Sequence, residues 1–270
     1  LRAEPPGDSQ QGRREKADRS EYFSIKVPPN ARPTQPYFME ERRDGDLYRW
    51  PADDNQDRPF QPLLFTAKVT VDIGGTAIML EQPLKYRFAD AARGEIRRDV
   101  NVVPLVSVSL DHDLLIIPSG SGARTRRIVM SVTNNSSKPV SGKPSLVFGS
   151  QAAWKYTSSV TGFELKSKGD KTSIAFDVTI PEGIKAGSYL IGGQAAVGDA
   201  AFSQEMNTIA YPHIQTHRFY TRAQTDVRVF DLKIEPAKVG YIMGSGDDVP
   251  EAIRQMGLDV TMLEEKDLAA

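Results

Sequence analysis

Residues 176–189 read FDVTIPEGIKAGSY, and the fold follows from how this passage is read. Phe176, Val178 and Ile180 alternate with polar residues, the two-residue period of a strand with one face on a core. Pro181 removes a backbone donor and ends that strand, and Tyr189 closes the passage. Residues 23–37, FSIKVPPNARPTQPY, share the pattern. There Phe23, Ile25 and Val27 alternate, Pro28 breaks the strand, and Tyr37 closes it. Two copies about 150 residues apart point to two β-sandwich modules. The first copy lies too near residue 1 for a whole module to precede it, so the expectation is a piece of something longer.

The aftermath of the two copies is parallel. Gly198-Asp199 stands where Gly74-Gly75 stood, Tyr211 where Tyr86 stood, and Val227 and Val229 where Val100 and Val102 stood. About 80 residues read as duplicated. Gly74-Gly75 separates the alternation Phe65 to Ile73 from a return strand at Thr76–Glu81. Both central positions of a type I′ turn need positive φ, which glycine supplies. Beyond Pro104 a new series begins with Val106, Val108 and Leu110, then Leu114–Ile117, then Ile128, Met130 and Val132. The turn-rich TNNSSKPVSG follows, then Leu146, Phe148, Trp154, Phe163 and Leu165. Short strands between turn signals favour antiparallel sandwiches.

The last 35 residues change character. Val239–Met243 reads as a strand, and Asp247-Asp248-Val249-Pro250 as a helix start with an Asp cap and an early proline. Gly257-Leu258 reads as its stop, and Asp259–Leu263 as a second strand. The expected fold is mainly β: tandem antiparallel β-sandwiches of immunoglobulin-like type, followed by the start of an α/β domain. The expected divisions are a tail at 1–20, a partial first sandwich at 21–104, a second sandwich at 105–234, and a first β-α-β unit at 235–270.

Composition narrows the function classes. The 270 residues are 39 % hydrophobic and 26 % charged, with net charge −1, so no global field favours nucleic acid or anionic lipid. There are no cysteines, which excludes disulfides, thiol nucleophiles and cysteine metal sites and leaves the compartment open. No apolar run reaches the roughly 18 residues that span a bilayer.

Four constellations invite chemistry. His213 and His217 have the HxxxH spacing that lets two imidazoles share zinc on a helix. In the β context expected here, four residues span roughly 13 Å, too far for one ion. Asp111-His112-Asp113 suggests a relay, but neighbouring strand residues point to opposite faces. Gly244-Ser245-Gly246 lacks the third glycine of a dinucleotide loop, and Asp247 and Asp248 repel phosphate. Tyr48, Trp50, Trp154 and Tyr156 are candidates for stacking on sugar rings; the alternative for Trp154 is to plug the end of the sandwich. No catalytic, cofactor-binding or metal-ligating residue is assigned within the chain.

The strings PTQPYF (33–38), GDLYRW (45–50), YRFAD with GEIRR (86–98), YPHI (211–214) and VGYIMGSGDDVPEAIRQMG (239–257) resemble the C-terminal region of large bacterial PIG-L (LmbE-like) family deacetylases. Trp154, Phe163 and FDVTIPEGIKAGSY are similar to the sandwich modules found beside bacterial α-galactosidases. The resemblance implies an accessory, non-catalytic spacer region whose first partner is its own catalytic domain, with glycan as a further partner. It implies that a divalent metal such as zinc is held by a His-Pro-Asp-Asp motif in a separate N-acetylsugar deacetylase domain. It implies a glutamine-amidotransferase-like domain beginning at the β-α-β unit, and a periplasmic or extracellular location. The alternatives are a stand-alone carbohydrate-binding module, and a metal-dependent hydrolase using His213 and His217.

Overall fold

The computed structural model describes residues 24–28, 31–41, 43–49, 61, 63–119, 124–149 and 153–268. The tail 1–20, Phe23 and Trp50 lie outside them. The chain is mainly β, 53 % strand against 7 % helix.

Strands β1 (Thr66–Ile73) and β2 (Thr76–Pro83) form the hairpin expected around Gly74-Gly75, whose φ values are 62° and 85°. Val69 faces Leu80 and Val71 faces Ile78, making one apolar face. Lys68 pairs with Glu81 at 2.7 Å on the other. A second hairpin joins β3 (Lys85–Asp90) to β4 (Gly94–Asp99). The two remain separate two-stranded sheets, and no buried core residue among those described precedes Val106. The first copy of the passage takes a different shape from the second. Ile25 and Val27 are exposed outside any strand, and Tyr37 opens a 3-10 turn, Tyr37–Met39.

The sandwich occupies β5 (Val106–Leu110), β6 (Leu114–Pro118), β7 (Arg124–Asn134), β8 (Val140–Phe148), β9 (Lys155–Ser158), β10 (Phe163–Leu165), β11 (Lys171–Ile180), β12 (Gly187–Val197) and β13 (Ala200–Phe202). β14 (Gln204–Ile209) and β15 (His217–Arg222) form an excursion, and β16 (Gln224–Phe230) returns to the sandwich. One sheet has the order β5-β7-β11-β9; the other is β10-β8-β12-β16-β6, with β13 folded back on β12. All pairs are antiparallel except β16 with β6. The chain changes sheets between Leu110 and Leu114, so β5 and β6 edge opposite layers.

Alternation fills the interior. Ile128, Met130 and Val132 from β7 and Ile174, Phe176, Val178 and Ile180 from β11 are nearly solvent-free. From the other sheet come Leu115, Ile117, Leu146, Ile191, Val227 and Val229. Each such side chain contributes about 1.5–3 kcal/mol when fully buried. The Phe–Pro–Tyr passage is β11, its break, and the start of β12. The Tyr189 hydroxyl donates to the Lys185 carbonyl at 2.9 Å, the tyrosine corner of immunoglobulin-like folds.

The buried polar residue Asn134 ties the end of β7 together. Its amide nitrogen donates to Lys138 O at 2.9 Å, and its oxygen accepts from the Ser136 amide at 2.8 Å. Asn135 donates to Pro104 O at 3.0 Å, fixing the entry to the sandwich.

After the sandwich, β17 (Val239–Ile242) and β18 (Val260–Leu263) pair in parallel, joined through helix α1 (Val249–Met256). Asp248 holds the N-cap position but its side chain makes no capping hydrogen bond, the Val249 amide donating instead to Asp247 Oδ1 at 3.2 Å; Pro250 lies in the first turn, and Gly257 stops the helix at φ 107°. The Gln255 side chain accepts the Ile116 amide of edge strand β6 at 2.9 Å. The helix thus docks on the sandwich edge, where an unpaired strand would otherwise present free amides. The expected start of a larger α/β domain finds no support beyond this unit. A two-stranded parallel sheet leaves both faces largely open, whereas parallel sheets are ordinarily covered on both faces.

Candidate functional site

The alternation that buries Thr225, Val227 and Val229 turns Gln224, Asp226 and Arg228 of β16 to the outer face of the second sheet. Ser188 and Leu190 of β12 lie beside them, and Tyr220 and Arg222 of β15 stand at one end. This face forms one wall of a cleft of about 1100 Å³.

The other wall is formed by Gln35, residues 38–41, Arg43 and Tyr48. It is held by short-range bonds and by three ties to the body of the protein. The Thr34 amide donates to Val102 O at 2.8 Å, and the Val102 amide donates to Thr34 Oγ1 at 2.8 Å. The Tyr220 amide donates to Gln35 Oε1 at 3.3 Å. Asp44 and Leu47 exchange both backbone bonds, at 3.0 and 3.1 Å, closing a tight turn. That turn carries Tyr48 back over Phe38, whose ring meets it edge-on at 5.6 Å. The Arg43 guanidinium stands 5.9 Å from the Tyr48 ring centre. Tyr48 still keeps 47 % of its surface exposed.

The cleft's charges balance. Arg43, Arg222 and Arg228 face Glu40, Glu41 and Asp226, three positive against three negative. Arg228 donates to Ser188 Oγ, and Glu40 lies 3.8 Å from Arg32. The Tyr220 hydroxyl is buried without a hydrogen-bond partner among the described residues. Burial pushes its phenol above the ordinary value, with the Arg218 charge opposing.

The sequence candidates are dispersed by the fold. Tyr48 lies in the cleft. Trp154 takes the core role: it is 6 % exposed and packs at 5.7 Å against both Phe148 and Tyr189. Its indole has no face turned to solvent on which a sugar ring could stack. Tyr156 is half-buried on β9, edge-on to Phe176 at 5.4 Å. His213 sits in a turn, stacked on Tyr211 at 6.0 Å, and His217 begins β15, so the helix that HxxxH needs is not formed. No group of three or more His, Cys, Asp or Glu able to hold a metal ion occurs among the described residues. His112 Nε2 approaches Asp111 Oδ2 at 3.6 Å, closer than strand geometry allows, because residues 111–113 turn between sheets. The other oxygen of Asp111 accepts the Val129 amide at 2.9 Å, a structural tie. Near Gly244-Ser245-Gly246, Asp247 Oδ1 accepts from Tyr241 at 2.7 Å and from the Val249 amide at 3.2 Å, putting a carboxylate where a phosphate would sit. Sequence reasoning missed Arg222, Gln224, Asp226 and Arg228. For the last three the signal was present in QTDVRVF (224–230), where Gln224, Asp226 and Arg228 alternate with buried positions.

No protein-family profile matches the chain. No curated protein matches it either. Solved structures do. Native α-2-macroglobulin of Escherichia coli aligns at 18 % identity and TM-score 0.31, over 57 % of this chain and 9 % of that protein. The PapD-like domain 7 of human CEP192 aligns at 14 % and TM-score 0.26, over 49 % of this chain and 92 % of that domain. The periplasmic chaperone SfaE aligns at 15 % and TM-score 0.25, over 50 % of this chain and 66 % of that protein. The aligned portion is thus a small part of the macroglobulin.

Proposed function

We propose that this chain is the non-catalytic accessory region of a PIG-L-type metal-dependent N-acetylsugar deacetylase, a β-sandwich spacer that also binds glycan. The observation that carries the spacer role is the clamp between Gln255 and Ile116, at 2.9 Å. It seats the most specific family-like string, residues 239–257, on the sandwich edge, as a rigid connector between neighbouring domains requires. The resemblance of the strings at 33–38, 45–50 and 211–214 supports the parentage. On this reading the chain's own catalytic domain is its first partner, and the metal, such as zinc, belongs to that domain.

The test is deacetylation of N-acetylglucosaminides by the purified chain with zinc titrated in. No turnover is expected. Turnover that depends on His213 and His217 would overturn the reading and favour a hydrolase within the chain.

A further inference from the structure

We propose that the cleft between the Gln35–Tyr48 segment and the outer face of β12, β15 and β16 is a binding site for an uncharged oligosaccharide. The inference rests on the glycan-binding part of the proposed function and gives that part a place and a ligand class.

Four observations meet there. The first is Tyr48, an aromatic ring that the Asp44–Leu47 turn and the edge of Phe38 hold in position while nearly half its surface stays open. Such a ring offers an apolar body for the C–H face of a sugar and a hydroxyl at its tip. The second is the wall opposite, built of planar polar groups. Arg222 and Asp226 form no ion pair among the described residues, and Gln204 and Gln224 line the same wall. Planar side chains with paired donors or acceptors match neighbouring hydroxyls two at a time, as they match other two-pronged partners.

The third is charge. Three cations against three carboxylates leave no net field to draw in an anion or a cation. A hydroxyl-rich neutral ligand uses both signs at once. The fourth is size and shape. At about 1100 Å³ the cleft is slightly larger than the roughly 300–1,000 Å³ of drug-sized sites. It is partly open, and Gln35, Gln204, Gln224 and six charged side chains make its lining more polar than such sites usually are, which suits a chain of hydroxyl-bearing rings.

The test is calorimetry on the whole chain with cellotetraose, maltotetraose and tetra-N-acetylchitotetraose as neutral probes. A galacturonate tetramer and a glucosamine tetramer serve as the anionic and cationic probes. Each is titrated to about 10 mM, where even millimolar sites fill. Tyr48→Ala, at an exposed position, and Arg222→Ala are compared with Tyr86→Ala, an exposed tyrosine on β3 away from the cleft. At least one neutral tetramer is expected to bind, and to bind about tenfold more weakly to Tyr48→Ala and Arg222→Ala while Tyr86→Ala matches the unaltered chain.

Equal binding by all three variants would overturn the cleft and leave glycan binding standing. Binding of a charged tetramer alone would overturn the neutral class. No binding by any probe would overturn both the cleft and the glycan part of the proposed function.

Discussion

The hydroxyl of Tyr189 reaches back four residues to the carbonyl of Lys185, at 2.9 Å. That bond locks the crossing from β11 to β12, the step in which the chain leaves one sheet and enters the other. The tyrosine ring meanwhile lies 5.7 Å from Trp154, so the corner and the plug of the sandwich end form one aromatic unit.

Tyr189→Phe keeps the ring and deletes the bond. A hydrogen bond of this kind contributes about 1 kcal/mol net. Urea unfolding should show a loss of that size, with the Trp154 emission of the folded state unchanged. A stability equal to that of the unaltered protein would mean that ring packing alone holds the corner.

Asn134 is fully buried and polar, and its side chain satisfies the carbonyl of Lys138 and the amide of Ser136. Asn134→Ala leaves both groups without that partner. Ser136 is half-buried and Lys138 exposed, so water can take the place of the asparagine, and the cost is that of lost hydrogen bonds, about 0.5–1.5 kcal/mol each. The loss should appear in thermal unfolding, together with faster hydrogen exchange at the Ser136 amide. Unaltered exchange there would show that the turn stands without the asparagine.

Gly142 lies where β8 passes close to its neighbours. A Cβ built there would stand 2.3 Å from the Ala196 carbonyl oxygen and 2.8 Å from the Phe163 ring. The backbone contact cannot yield by a side-chain rotation. Gly142→Ala should therefore destabilise the sandwich by about 1–3 kcal/mol, the range of overpacked sites. Gly149→Ala, which meets nothing within 4 Å, is the matched control. Equal stability of the two variants would show that β8 and β12 separate at no cost.

The sandwich was legible because its strands obey one rule. From Ile128 to Val132 in β7 and from Ile174 to Ile180 in β11 every second residue is apolar, and those residues are buried. The helix α1 was legible from its punctuation, Pro250 at its start and Gly257 at its stop, though the expected Asp248 side-chain cap is not formed. The first copy of the passage misled because, in the sequence, Glu21 stands where Ile174 extends the alternation of the second copy, and it is that longer strand which pairs with β7 along its length. Pro33 and Pro36 then lead into a 3-10 turn where the second copy has Gly187 opening β12. The cleft was illegible for a different reason. Tyr48 and Arg228 are 180 residues apart, and the ties at Thr34 and Gln35 help bring their segments together. The aromatic count singled out Tyr48 and Trp154 alike; burial separates them, and burial is decided by pairing across the whole fold.

The turn joining β3 to β4 carries a proton-dependent contact. Asp90 Oδ1 accepts from the amides of Ala92, at 3.0 Å, and Arg93, at 2.9 Å. These bonds favour the ionised carboxylate and hold its pKa below the ordinary value, the Ala92 amide most strongly, with the Arg93 guanidinium adding a smaller pull. A carboxyl whose folded pKa is depressed contributes stability that is present above the unfolded value, about 3.9, and is lost as pH falls through the folded one. The hairpin turn should therefore keep its form from neutrality down to about pH 4 and loosen below it. Amide chemical shifts of Ala92 and Arg93, followed by NMR into acid, should move together in that window. Asp90→Asn retains an acceptor oxygen and removes the titration, so the same amides should stay flat in that variant. Identical acid transitions in both proteins would place the titrating group elsewhere in the hairpin.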